Sequence, residues 1–173
     1  YHIPTARYET FTDLDKALSY IRSQGAPIVV KADGLALGKG VVVAATVEEA
    51  ETAVREMMEG RKFGDSGSTV VIEECMVGPE VTVLAFCDGE HLVPMLSSQD
   101  HKRAYDGNQG PNTGGMGAFC PSPKYTPEIA KECMEKIFLP TVAALKAEGR
   151  PFKGVIYFGL MLTKDGPKVV EYN

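Results

Sequence analysis

The chain has 173 residues, 44% of them hydrophobic, and a formal net charge of -5. That hydrophobic share supports a packed core and excludes general disorder, while the acidic balance excludes non-specific nucleic-acid binding, which needs a basic surface. No apolar run approaches the roughly 18 residues of a membrane span, no signal peptide heads the chain, and the cysteines at 75, 87, 120 and 133 have neither CxxC spacing nor a histidine at zinc-site spacing.

Free thiols and a reducing cytoplasmic location are therefore expected. A first helix is predicted from Thr12, with Leu14, Ala17, Leu18 and Ile21 on one face and Gly25 as its stop. Pro27 to Lys31 reads as a short buried strand, residues 32 to 40 as a glycine-rich loop, and Val41 to Ala45 as a second β-branched run. Thr46 with Glu49 forms a capping-box pattern. It opens a helix through Ala50, Ala53, Val54, Met57 and Met58 that closes at Gly60. Thr69 to Glu74, Val81 to Cys87 and His91 to Pro94 read as strands, the last two joined by a turn at Asp88-Gly89. Residues 95 to 125 show no periodicity and are rich in Gly, Pro, Asn and Ser. A loop of that length is uncommon unless it is functional. Helix resumes at Thr126-Pro127, Pro140 is expected to kink or divide it, and Val155 to Leu162 with Lys168 to Tyr172 form a closing hairpin. Hairpins outnumber crossover units, which favours an α+β fold over a doubly wound parallel sheet.

Lys31-Ala-Asp-Gly34-Leu-Ala-Leu-Gly38-Lys39-Gly40 has the wrong spacing for a Walker A loop and is followed by a strand rather than a helix. Successive N–H groups in such a turn can still cup a phosphate. A plain hairpin turn with solvated lysines is the equal alternative. Glu73 and Glu74 end a strand, where a solvated edge is the commoner outcome. Glu171 and Asn173 alternate with Tyr172 and so share one strand face. A carboxylate and an amide oxygen there are compatible with Mg²⁺ held together with a phosphate, but a plain polar sheet face is the commoner outcome for such a pair. Gln99-Asp-His-Lys-Arg103 and Asn112-Thr-Gly-Gly-Met-Gly117 lie in one long loop, a composition that suits backbone held close to a ligand. His101 has no Ser or Cys in an elbow motif to serve, and Cys120 before Pro121 reads as a buried or inert thiol.

Taken in order, Val30-Lys-Ala-Asp-Gly34, Ile72-Glu-Glu74, Gln99-Asp-His-Lys-Arg103, Gly110-Pro-Asn-Thr-Gly-Gly-Met-Gly117 and Lys168-Val-Val-Glu-Tyr-Asn173 resemble the phosphoribosylamine–glycine ligase family of the ATP-grasp superfamily. The resemblance covers essentially the whole chain. Its first and last motifs are shared by ATP-grasp enzymes at large, and the two middle loop motifs are the specific ones. The resemblance implies two α/β lobes whose antiparallel sheets clamp ATP, with residues 1–73 as the small lid lobe and 74–173 as a larger lobe truncated at its C-terminal end. It implies joining of glycine to 5-phosphoribosylamine in purine biosynthesis, giving glycinamide ribonucleotide, ADP and phosphate through a glycyl phosphate. The alternatives are a non-catalytic Mg-ATP-binding fragment and an ATP-grasp ligase for another acid and amine.

By the same resemblance, Lys31 contacts the nucleotide phosphates, and Gly38, Lys39 and Gly40 lie in a lid loop over them. Glu73, Glu74 and Met76 meet adenine, and Glu80 holds the ribose. Glu171 and Asn173 bind Mg²⁺ or Mn²⁺. Asp100 and Lys102 act in catalysis on the substrate side, which Asn112, Thr113, Gly114 and Gly115 line. The expected partners are small molecules, with no nucleic acid or membrane. Many ATP-grasp enzymes carry another metal carboxylate where this chain has Phe158 or Gly159. Pro79 also replaces an acid often seen before Glu80. The first residue is Tyr and the family's Arg-Phe-Gly-Asp-Pro-Glu stretch does not follow Asn173, so the rest of the polypeptide is expected to be missing at both ends.

Overall fold

The chain divides into two units, one made of Ala6–Cys75 and the other of Tyr1–Thr5 with Met76–Asn173. The structure, a computed structural model, describes residues 1–34, 40–60, 67–107 and 109–173, with only the backbone of Asn112.

In the first unit, β1 (Tyr8–Phe11), β2 (Ile28–Ala32), β3 (Val41–Ala44) and β4 (Val70–Glu74) form an antiparallel sheet in the order β1-β4-β2-β3. The helices α1 (Leu14–Gln24) and α2 (Val47–Met58) supply the other half of its core. Strand alternation aims Ile28, Val30, Val70 and Ile72 at Ala17, Ile21, Val54 and Met57, and all eight are buried. Each helix begins where a side chain satisfies an orphan N–H. Asp13 rather than Thr12 caps α1, accepting from the Lys16 N–H at 2.9 Å. Thr46 caps α2, and Glu49 reaches back to the Ala45 N–H at 2.8 Å, one residue beyond the usual partner. Gly25 ends α1 at φ 77°. The strand β1 has no counterpart in the sequence expectation.

In the second unit, β5 (Glu80–Cys87), β6 (Leu92–Pro94), β11 (Gly154–Thr163) and β12 (Gly166–Tyr172) form an antiparallel sheet ordered β12-β11-β5-β6. Its core joins Val83, Ala85, Phe158 and Leu160 to Ile137 and Phe138, with the Phe138 and Phe158 rings 4.2 Å apart. The helical run from Pro127 is divided, as Pro140 leads one to expect: α3 (Pro127–Cys133), a π-helical turn (Met134–Phe138) and α4 (Leu139–Ala147). Pro140 has no N–H to donate and its ring crowds the carbonyl one turn back. Next to it, the buried Thr141 donates its hydroxyl to the Ile137 carbonyl at 2.7 Å.

Two expectations need correction. The chain's first five residues belong with the second unit, where Val169 N–H donates to the Pro4 carbonyl and the Thr5 hydroxyl to the Val169 carbonyl, both at 2.8 Å. The supposed loop 95–125 contains β7 (Gln99–Asp100) paired with β10 (Ala118–Phe119), and β8 (Arg103–Tyr105) paired with β9 (Gln109–Asn112). Its base is fixed to β5, because Thr82 and Ser98 exchange two backbone bonds of 2.8 Å. These strands are too short and too polar to leave a periodic signal. Among the described residues no helix is long and apolar enough to cross a membrane.

Candidate functional site

In the second unit the helices cover one face of the sheet, and the polar candidates gather on the other. Along β5, Val81, Val83 and Ala85 are buried, so Glu80 and Thr82 face away from the helices. Along β11, buried Ile156, Phe158 and Leu160 alternate with Tyr157, Gly159 and Met161. Register then sets Gly159 opposite Thr82 on one side and Glu171 on the other, and Met161 opposite Glu80. The Tyr157 and Thr82 hydroxyls lie 3.0 Å apart. A Cβ on Gly159 would fall 2.9 Å from Glu171 Cγ and 3.2 Å from Tyr157 Cε1. Glu171 therefore occupies space that any larger residue at 159 would take.

Lys102 reaches this face from the loop between β7 and β8, and its ammonium forms an ion pair with Glu80. Partial burial works against its charge. The bond from Glu80, together with the fields of Glu80, Tyr157 and Glu171, outweighs that and holds Lys102 above its ordinary value. It is a permanent cation here and not a neutral base. Its backbone is fixed by Thr113, whose N–H and hydroxyl both donate to the Lys102 carbonyl, at 2.7 and 2.8 Å. The same hydroxyl accepts from the Gly115 N–H at 3.1 Å. Gly115 has φ 116°, and a Cβ there would lie 3.1 Å from an Asp100 carboxylate oxygen. Asp100, Gly114 and Gly115 are exposed, and Asn112 pairs with Arg103 through the β8–β9 ladder. The structure thus brings Glu80, Lys102 and Glu171 together, with Asp100 and Thr113 on the same loop as Lys102. Thr82 and Tyr157 escaped the sequence reading. Extending the period-two alternation from Glu80 would have put Thr82 on the face of Glu80.

In the first unit, Lys31 and Glu73 form an ion pair of 2.6 Å, with side chains only 26% and 19% exposed. They sit diagonally across β2 and β4, on the face away from α1 and α2. Glu74 accepts from the Arg7 N–H at 3.2 Å and lies 3.5 Å from its guanidinium. With Arg7, Tyr20, Ile28 and Cys75 it borders a cavity of about 190 Å³. Gly40 is buried, and its carbonyl accepts from the Ala32 N–H at 2.8 Å. Gly38 and Lys39 lie outside the described residues. Met76, the first residue of the second unit after the crossing, is half-buried.

Asn173 continues the ladder beyond β12, exchanging backbone bonds of 2.7 and 3.2 Å with Tyr157. It also borders an apolar cavity of about 420 Å³ with Thr141 and Tyr172. Among the described residues no group of three or more His, Cys, Asp or Glu is gathered. One carboxylate and one amide do not make an all-protein cage. They do suit Mg²⁺, which is commonly held by one or two carboxylates plus substrate phosphates and water. All four cysteines are free. Cys87 and Cys133 are buried, but Cys120 is exposed just past the strand β10, which removes the buried half of the expectation for it.

The sequence family described as phosphoribosylglycinamide synthetase, ATP-grasp (A) domain, matches residues 1–173. The chain is similar to the phosphoribosylamine–glycine ligase of Vibrio vulnificus (strain YJ016), at 57% identity over 174 residues. That match covers all of this chain and 41% of the relative. A crystal structure of phosphoribosylamine–glycine ligase from Thermotoga maritima superposes with a TM-score of 0.86 at 35% identity, over 99% of this chain and 43% of that one. Biotin carboxylase from Campylobacter jejuni shares the fold alone, with a TM-score of 0.73 at 18% identity over 99% of this chain and 36% of that one.

Proposed function

Because the chain belongs to the phosphoribosylglycinamide synthetase ATP-grasp domain family and has its α+β ATP-grasp fold, we propose that the protein of which it is part joins glycine to 5-phosphoribosylamine at the expense of ATP. The products are glycinamide ribonucleotide, ADP and phosphate. The chain spans 41% of the length of the curated relative described above, so the activity is assigned to the protein as a whole. The isolated 173 residues are expected to bind nucleotide without turnover.

The observation that carries this reading is the grouping of Glu80, Lys102 and Glu171 on one open sheet face, in a chain that matches the family from end to end. The chemistry needs no protein nucleophile. A glycine carboxylate oxygen attacks the γ-phosphorus and ADP leaves. The amine then attacks the acyl carbon, phosphate leaves with that oxygen, and the amine gives up a proton. What the protein must supply is alignment of two anions and positive charge to neutralise the charge that builds up.

In this reading Lys31 contacts the phosphates once Glu73 shares it, and Gly38, Lys39 and Gly40 belong to the phosphate loop. Glu73, Glu74 and the Met76 backbone receive adenine, and Glu80 accepts from the ribose hydroxyls. Asp100 and Lys102 face the substrates, with the loop from Asn112 to Gly115 shaping that side. Glu171 and Asn173 would hold Mg²⁺, which when bound supplies positive charge to the phosphates. A test is a panel of amino acids offered to the full-length protein with ATP and phosphoribosylamine. Glycine is expected to be the preferred acid, with glycinamide ribonucleotide identified by mass. Faster ligation of another acid would reject the glycine assignment and leave the ATP-grasp assignment standing.

A further inference from the structure

The Glu80–Lys102 pair joins two residues to which the proposed function gives different tasks. Glu80 is to accept from the ribose, and Lys102 is to serve the substrate anions. In the structure the two are paired with each other.

We propose that this pair is exchangeable: the ribose hydroxyls of an incoming nucleotide take Glu80, and the released Lys102 ammonium turns to the second substrate's anionic group, so that nucleotide binding prepares the site for that substrate. This rests on the reading that Glu80 holds the ribose. Three features support it. First, the pair is easy to break, since its side chains are 42% and 48% exposed and an ion pair in water is worth little. Second, the release does not strand a charge. Lys102 also lies in the fields of Glu171 and Tyr157, so an oxygen-rich surface remains when Glu80 is withdrawn. Third, the backbone of Lys102 is held by both the N–H and the hydroxyl of Thr113, so the side chain can swing while its anchor stays. Competition follows from chemistry. Two neighbouring hydroxyls would engage both oxygens of Glu80, and Glu80 Oε2 is the oxygen to which Lys102 Nζ donates, so the carboxylate must turn from the ammonium to face the hydroxyls. By linkage, an anion bound by Lys102 must tighten nucleotide binding by the same factor.

The test uses adenosine with the full-length protein, because adenosine carries the ribose hydroxyls but no phosphate for Lys102 to attract. Calorimetric titration of Lys102→Met is expected to show adenosine binding tighter by roughly two- to fivefold, the range an exposed pair is worth. Lys102→Arg, which keeps the pair, is expected to bind adenosine as the unaltered protein does. Glu80→Gln is expected to weaken adenosine by about tenfold. Equal or weaker binding in Lys102→Met, with Glu80→Gln weakened, overturns the exchange and leaves the ribose role intact. Unchanged binding in Glu80→Gln overturns the ribose role and the exchange with it.

Discussion

Glu171 keeps its place on the sheet face because residue 159 has no side chain. Adding one carbon in Gly159→Ala puts a Cβ 2.9 Å from Glu171 Cγ, and the carboxylate must move. Under the proposed metal role, half-saturating Mg²⁺ for nucleotide binding should rise by about tenfold, the usual cost of disturbing a ligand's support; an unchanged Mg²⁺ titration would remove Glu171 from the metal. The cysteines give a second test. Burial pushes the Cys133 thiol up to about 11, against a smaller opposing bond from Tyr125. A thiol reagent at pH 8 should therefore label exposed Cys120 at once and spare Cys133 until the protein unfolds. Equal labelling rates would contradict the packing of α3. His91 offers a third. Its ring lies 3.0 Å from Asp88, whose bond and charge hold it above its ordinary value. A raised value means that the pair stabilises the fold fully below the unfolded value of about 6.5 and loses that contribution as pH rises through the folded one. An NMR titration should place the His91 midpoint above that of a free imidazole, and Asp88→Asn should bring it back down.

At the scale of elements, caps and cores carry the stability. Thr46→Ala removes the acceptor for the Glu49 N–H and should cost about 1 kcal/mol in urea unfolding. Phe158→Ala empties a fully buried site against Phe138 and should cost about 3–5 kcal/mol. The caps of α2 and α3, the glycine stop of α1 and the closing hairpin were legible in the sequence, because caps and period-two alternation are local; the cap of α1 was off by one residue. The strand β1 was not, since Tyr8–Phe11 has no inward-facing alternation to mark it: three of its four residues are exposed. The short strands of the 95–125 segment are held by backbone pairing, which leaves no trace in side-chain periodicity. The candidate site divides the same way. Its residue types could be read from ordered motifs. Its partnerships could not, because Glu80 and Lys102 are 22 residues apart and meet only through the register of β5 with its neighbours.

Across the molecule, each unit follows one plan: helices bury one face of an antiparallel sheet, and the candidate polar side chains lie on the other, among exposed apolar residues such as Val43 and Phe86. Lys31 and Glu73 use that face in one unit, and Glu80, Lys102 and Glu171 use it in the other. The central claim is that these residues serve a ligase that activates a carboxylate as an acyl phosphate. In the full-length protein, Lys31→Ala and Glu171→Ala should each lower glycine-dependent ADP formation by about a hundredfold, the scale of losing one charge that stabilises a transition state. The most direct measurement follows the carboxylate oxygen itself. Glycine labelled with ¹⁸O in both carboxylate positions is given to the full-length protein with ATP and phosphoribosylamine, and the phosphate released is weighed. One ¹⁸O in each phosphate, with the other retained in glycinamide ribonucleotide, is the predicted result; unlabelled phosphate would contradict it.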